Sequence, residues 1–285
     1  MAGVATLRDT ELDAAAELLG REGWMFTTRE LARVMATGPG LSVAARGPAS
    51  IIGLVMVARH GDLAWVGNVV VDAPHRGRGL GEAMMRGALE RIAAAGARTT
   101  KLCSVPQAET LYARLGFHAE GIIRTFGKVH ERPAHRPPEA ELLAADALPE
   151  VLALDRAAFG ADRSGLLGLL LRDHPMTGVG VRDARGALRG YAFLKAGDRS
   201  SELGPVVARD RAAAEMLLDG ALAFRLQGEA AELECSVPEP HPWMHDLLRA
   251  RGFFAQDWTK TLMWHGRPLP QDWVACAALA GLEKG

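Results

Sequence analysis

The stretch Arg76-Gly77-Arg78-Gly79-Leu80-Gly81 joins an apolar run at 69–71 to an amphipathic segment that starts near Leu80. Glycines at 77, 79 and 81 let backbone N–H groups turn toward one point. That point is a helix N-terminus, where the dipole also favours an anion. Arg76 and Arg78 add positive charge. The chemistry implied is the holding of a phosphate or pyrophosphate. Taken alone, the same residues also describe a glycine-rich turn with solvated arginines. Two common phosphate loops do not fit. "GRGLGE" lacks the G-x-G-x-x-G spacing of the dinucleotide fold, and no acidic residue closes the next strand, 99–105. The G-x-x-x-x-G-K-[ST] pattern is absent.

A second segment, "LYARLGF" from Leu111 to Phe117, carries a phenol that could donate a proton. By itself Tyr112 reads equally as a core aromatic beside Leu111 and Leu115. The residues before it, "CSVP" at 103–106, return at 235–238, and each copy is followed by "GF". Cys103 to Phe117 spans 14 positions and Cys235 to Phe253 spans 18, so the second copy has a four-residue insertion near "EPHP".

The elements that must hold these residues recur with them. In the first half, strands are predicted over 4–8, 41–46, 50–60, 63–72, 99–105 and 122–126, and helices over 9–23, 28–37, 79–96 and 107–116. In the second half, a lead-in at 140–146 precedes helices over 147–160, 164–174, 210–228 and 241–252. Strands are predicted there over 178–183, 188–197, 200–208, 231–237 and 258–265. Matching flanks on both sides of "CSVP" make duplication of a whole unit the better account. Between the halves, "KVHERPAHRPPEA" holds three prolines and no helical period, which reads as a linker. His130 and His135 lie in it without a Cys or carboxylate ligand set, so no metal site is expected. The division expected is a first domain at 1–128, a linker at 129–139 and a second domain at 140–285. Residues beyond 266 lie outside the repeat and have no place in it.

The first half resembles the GNAT N-acetyltransferases. Arg76 to Gly81 fits their acyl-CoA pyrophosphate loop, R/Q-x-x-G-x-G/A, and "LYARLGF" is similar to their tyrosine-helix signature, 30 positions on. The resemblance implies an α/β (α+β) fold of two tandem GNAT-like domains. Each would be a mixed, mostly antiparallel sheet, flanked by helices and splayed between its fourth and fifth strands. Here those strands are 65–72 and 99–105. It also implies an acetyl-CoA-dependent N-acetyltransferase acting on a primary amine by direct attack in a ternary complex. Main-chain groups of Val69, Val70 and Val71 would hold the pantetheine arm. Arg76, Gly77, Arg78, Gly79, Leu80 and Gly81 would hold the pyrophosphate, and Tyr112 would protonate the departing thiolate. Where relatives place Asn or Asp after the fifth strand, this chain has Ser104 or Gln107. The general base stays open among Asp72, His75 and Glu109. Cys103 reads as a small buried thiol.

In the second half the counterpart of the loop, 203–218, keeps its strand but has neither the glycines nor the paired arginines, and Leu248 stands at the tyrosine's place. "LDRAAFGADR", 154–163, is similar to the opening of a degenerate C-terminal GNAT domain. Asp155, Asp162 and Arg163 face the first domain's cleft or belong to an ordinary capped helix. Two further readings share the sequence: an acyl-CoA sensor without catalysis, and transfer of a longer acyl chain. A net charge of −1 offers no field for nucleic acid or membrane. Three cysteines, no signal segment and no membrane-length apolar run fit a soluble cytoplasmic protein with no disulfide framework.

Overall fold

The computed structural model describes residues 3–24, 26–129, 137, 139–173, 177–195, 200–223 and 232–285. The expected linker falls outside them except at 129, 137 and 139, and His130 and His135 are among the residues outside. Two compact units are formed.

The first unit runs from the N-terminus to Glu120 and includes Leu262–Pro268 and Lys284. Its elements are β1 (Gly3–Thr6), α1 (Leu12–Arg21), α2 (Thr28–Thr37), β2 (Val43–Arg46), β3 (Ile51–His60), β4 (Leu63–Val71), α3 (Leu80–Ala94), β5 (Thr99–Ser104) and α4 (Pro106–Arg114). The start of α2 is fixed by a capping box: Thr27 Oγ1 accepts from Glu30 N, and Glu30 Oε2 accepts from Thr27 N. Strands β3 and β4 form a tight hairpin through Gly61, which adopts φ 63°. The sheet order is β1-β2-β3-β4-β5, antiparallel except for the parallel pair β4–β5. Met84, Met85, Ala88 and Ile92 of α3 pack on one face with Val43, Val55, Val57, Val66 and Leu102.

The second unit comprises Gly121–Thr261, Leu269–Glu283 and Gly285. It holds most of β6 (His118–Val129), then β7 (Ala140–Leu142), α5 (Leu148–Phe159), α6 (Ser164–Asp173), β8 (Gly178–Arg182), β9 (Leu188–Lys195), β10 (Ser200–Ala208) and α7 (Arg211–Leu222). These are followed by β11 (Glu232–Glu239), α8 (Met244–Ala250), most of β12 (Phe254–Gly266), and β13 (Cys276–Ala278). Its sheet order is β6-β11-β10-β9-β8-β7, with β13 beside β10 and the pair β10–β11 parallel. The repeat is therefore visible strand for strand.

The compact units do not follow the boundary expected at 128. Strand β6 pairs with β11 along its length, from Glu232↔Val129 to Glu239↔Ile122, so residues 121–129 complete the second unit. In exchange, the end of β12 lies against β5 in the first. Thr99 Oγ1 donates to Arg267 O, Arg267 N donates to Arg98 O, and the His265 ring lies tilted against Phe117 with centroids 5.3 Å apart. The first half thus lends most of β6 to the second unit, and the second half lends the end of β12 to the first. A single-sequence reading assigns a strand to its sequence neighbours and has no signal for this exchange.

Candidate active site

Strand β4 runs parallel to β5 from Leu63↔Thr99 to Val66↔Leu102, and there the pairing ends. Just beyond, β4 bulges against β3: Leu54 pairs with Val70 and Met56 with Gly67, so two residues of β4, 68 and 69, face one of β3. Asn68 takes up the bulge at φ 49° and is the one non-glycine with positive φ among the described residues. The edge of β4 from Gly67 to Val71 therefore faces β5 without ladder bonds to it. Val69 and Val71 lean on the α3 side of the core, and Val70 is buried. This is the splay expected between 65–72 and 99–105.

After β4 a single 3-10 turn, Ala73–His75, leads into the glycine loop. Gly77 and Gly79 are both left-handed, at φ 72° and 77°, and a Cβ at either would project into open space. Gly79 is the N-cap of α3, and no side chain caps this helix. Ala83 N makes the first intrahelical bond, to Gly79 O, which leaves the N–H groups of 80–82 turned to the helix mouth. Gly81 differs: a Cβ there would make ordinary contact with Val71 and Leu111, so the position does not require glycine. The arginines also divide. Arg76 Nε donates to Val71 O at 2.8 Å, and its guanidinium pairs with Glu22, so it ties the loop to the end of β4. Arg78 is exposed and makes no ion pair among the described residues, which leaves its charge available at the loop.

Tyr112 lies on α4, buried with Leu115 and Phe117. The "GF" that follows is a helix stop. Gly116 is left-handed at φ 85°, Phe117 N bonds back to Tyr112 O at 3.0 Å, and the two rings meet edge to face at 5.8 Å. The second copy repeats the device with Gly252 at φ 79° and Phe253 N bonded to Leu248 O. That explains why "GF" recurs where the tyrosine does not.

Ser104 is buried, and its hydroxyl donates to Val105 O at 2.9 Å, while Gln107 is exposed in the first turn of α4. Asp72 accepts from Arg21 Nε at 3.3 Å and stands 3.9 Å from His75 Nδ1. Glu109 and Cys103 are both half-buried. Asp155 and Arg163, expected either to face the first domain's cleft or to belong to a capped helix, are spent inside the second unit. Arg163 Nε donates to Asp155 Oδ2 at 3.1 Å, Tyr191 Oη donates to Asp155 Oδ1 at 2.5 Å, and all three residues are buried. Asp162 caps Ser164 N and pairs with Arg156.

Burial pushes the Tyr112 hydroxyl up to about 12. Burial, and then Asp155, push Tyr191 well above its ordinary value. These are the two tyrosines of the chain, so an ultraviolet tyrosinate titration reads both. We expect no tyrosinate below about pH 11 while the protein is folded. The folded pKa of Tyr112 exceeds the unfolded one, so its contribution to stability is fully present below pH ~10. On the order of 2–3 kcal/mol is then lost as pH rises from ~10 to ~12. A titration with a midpoint near the ordinary tyrosine value would show that these rings are wet.

The second unit repeats the splay and closes it. Strands β10 and β11 pair from Ser200↔Glu232 to Glu202↔Glu234 and then part. Into that gap comes β13, a segment the sequence pattern left unplaced. Val206 pairs with Ala278, Val207 with Cys276, and Leu279 N donates to Ser236 O of β11 at 3.0 Å. Residues 276–280 are 0–1% exposed, which means the gap is filled by protein. Lys195 Nζ donates to Ala280 O, and Arg163 Nη1 donates to Gly285 O at 3.0 Å. The helix N-terminus is also occupied: Asp210, the N-cap of α7, accepts from Ala213 N at 2.9 Å and holds Arg189. A carboxylate thus stands at the place that Gly79 leaves open in the first unit.

Two family models match the chain. Residues 39–119 and 151–275 each match an acetyltransferase (GNAT) domain. A relative in Bacillus subtilis (strain 168), the uncharacterized N-acetyltransferase YitH, is 27% identical over 256 residues, covering 88% of this chain and 87% of its own. A crystal structure of a candidate acetyltransferase from Pyrococcus horikoshii superposes with a TM-score of 0.82 at 19% identity, over 99% of this chain and 95% of that one. A tandem GNAT protein from the clavulanic acid biosynthesis pathway does so with a TM-score of 0.65 at 17% identity, over 94% and 99%. The two structural likenesses speak to the fold.

Proposed function

For a chain that belongs to the GNAT acetyltransferases, with one such domain in each half, we propose that the first unit carries the reaction and takes acetyl-CoA and a primary amine. The observation that carries this reading is the contrast between two helix N-termini. That of α3 is uncapped, glycine-lined and flanked by Arg78, which has no ion pair among the described residues, at the end of a strand whose edge toward β5 lacks ladder partners. That of α7 is filled by Asp210, and its splay by β13. Free N–H donors at a helix N-terminus suit a pyrophosphate, and the open edge at Val69–Val71 suits the amide groups of pantetheine.

The reaction then balances as follows. The amine lone pair forms a C–N bond to the thioester carbon, the C–S bond breaks, and its electron pair leaves on sulfur. One proton leaves nitrogen and one reaches sulfur, for which Tyr112 is the donor on this reading. Asp72, His75 and Glu109 all remain open as the route for the first proton. The protein contributes alignment, a dry environment and a donor for the sulfur.

Calorimetry with acetyl-CoA tests the binding half, with one site per chain expected; two equivalent sites would refute the division of labour. Release of free thiol with spermidine, glucosamine, lysine and a short peptide tests the transfer half. Binding with no thiol release from any amine would favour a sensor. Within this reading, Gly79→Val weakens acetyl-CoA binding by at least about tenfold, because a branched side chain would be strained at φ 77° and would enter the phosphate space. Gly81→Ala, which meets only ordinary contacts, leaves affinity nearly intact. Equal effects of the two would remove the loop from the site.

A further inference from the structure

Asn68 is not explained by the fold. It is 8% exposed, its side-chain oxygen is buried, and that oxygen has no hydrogen-bond partner among the described residues. A buried polar atom in that state costs free energy that folding alone would select against. The backbone adds a second, independent oddity: a left-handed residue inside a strand that is otherwise valine-rich. Glycine would satisfy that conformation without the orphaned oxygen. The third observation is place. Asn68 is a bulge residue two positions past Val66↔Leu102, where β4 and β5 part, and it directly precedes the open edge at Val69–Val71.

We infer that Asn68 binds the acceptor amine. The inference rests on the transferase reading above and deepens it. If the acyl carrier lies along Val69–Val71, its thioester end lies toward the bulge, and the next group along β4 is Asn68. The side-chain oxygen accepts one N–H of the attacking amine. That bond holds the nitrogen so that its lone pair faces the thioester carbon. The proton on this bond stays on nitrogen and remains in the product amide as its N–H. The oxygen is a hydrogen-bond acceptor and not a base, so the proton that must leave goes to another group or to water.

The test uses the full chain, acetyl-CoA, and ethylamine as a minimal acceptor, with Asn68→Gly and Asn68→Asp. Asn68→Gly keeps the backbone conformation and removes the oxygen. We expect an unchanged or higher melting temperature, acetyl-CoA affinity nearly intact, and kcat/KM for ethylamine down about 10–100-fold. Asn68→Asp keeps an oxygen acceptor and recovers most of that loss. A glycine variant that is as active as the parent, or an aspartate variant no better than glycine, overturns the assignment. So does a parent enzyme that binds acetyl-CoA yet shows no thiol release that depends on ethylamine. Failure of the parent to bind acetyl-CoA is a different result and sinks the transferase reading itself.

Discussion

Tyr112→Phe lowers kcat by about 10²–10⁴-fold and leaves acetyl-CoA affinity nearly unchanged. The ring is a core residue whichever role the hydroxyl plays. It packs among Leu115, Phe117 and Met263, with its edge against Phe117, and Phe preserves those contacts. Only the donor is removed. A phenol held at about 12 by burial stays protonated over the whole assay range, so it is always available. A phenol is already a weaker acid than a thiol, and the shift widens that gap. Its help must therefore come mainly from a hydrogen bond that strengthens as charge gathers on sulfur in a site without water. Loss of an interaction made only in the transition state lowers kcat and kcat/KM equally. We expect that pattern for ethylamine and for any better amine found. A variant with parental kcat at every pH would make Tyr112 a packing residue and return proton delivery to solvent.

The parts of this molecule that were legible in the sequence are those specified locally. Helix α2 begins where a capping box places it, between Thr27 and Glu30. The hairpin at Gly61, the helix stops at Gly116 and Gly252, and the glycine loop at 77–79 are each set by a conformation that glycine adopts freely. The repeat was legible because hydrophobic periods recur in order, and Leu248 in place of Tyr112 was legible because the frame around it persisted. What escaped was long-range. Nothing near Arg124 announces that its strand pairs with Glu232–Glu239, more than a hundred positions away. Nor does the run Trp258–His265 show that its last residues leave the unit in which it starts. A protein cut at Lys128 would lack Leu262–Pro268 from its first unit, so the halves of the sequence are not units that can be tested separately. The roles of the paired arginines were also hidden. Position in the motif suggested two phosphate ligands, whereas Arg76 is engaged with Val71 and Glu22. Asn68 did carry a signal that the pattern reading passed over: Gly67-Asn68 is a turn-forming pair inside a run of valines.

A single methyl group at Gly204 should unseat the second unit's built-in strand. Gly204 lies on β10 where it faces the tail, and a Cβ there would stand far inside contact distance of Leu279 O. Backbone cannot yield as a flexible side chain can, so Gly204→Ala must push 276–280 away from β10. The bonds at stake are the Val206↔Ala278 and Val207↔Cys276 ladder, Leu279 N to Ser236 O, and Lys195 Nζ to Ala280 O. Each buried group left unpaired costs about 1–3 kcal/mol, and Leu279, 1% exposed, contributes about 1.5–3 kcal/mol by burial. Together these approach the whole stability of an ordinary domain, about 5–15 kcal/mol. We therefore expect Gly204→Ala to lower the melting temperature by roughly 10 °C or more. Leu279→Ala, which leaves the strand in place and removes its largest side chain, should cost about 2–5 kcal/mol. Neither change should create a second acetyl-CoA site, because Asp210 still caps α7 and no glycine loop precedes it. Calorimetric binding separates two meanings of the tail. Stoichiometry that stays at one per chain in both variants makes residues 276–280 a structural replacement for a ligand that the second unit no longer takes. A second site appearing when the strand is displaced would make them a gate over a cleft that still binds.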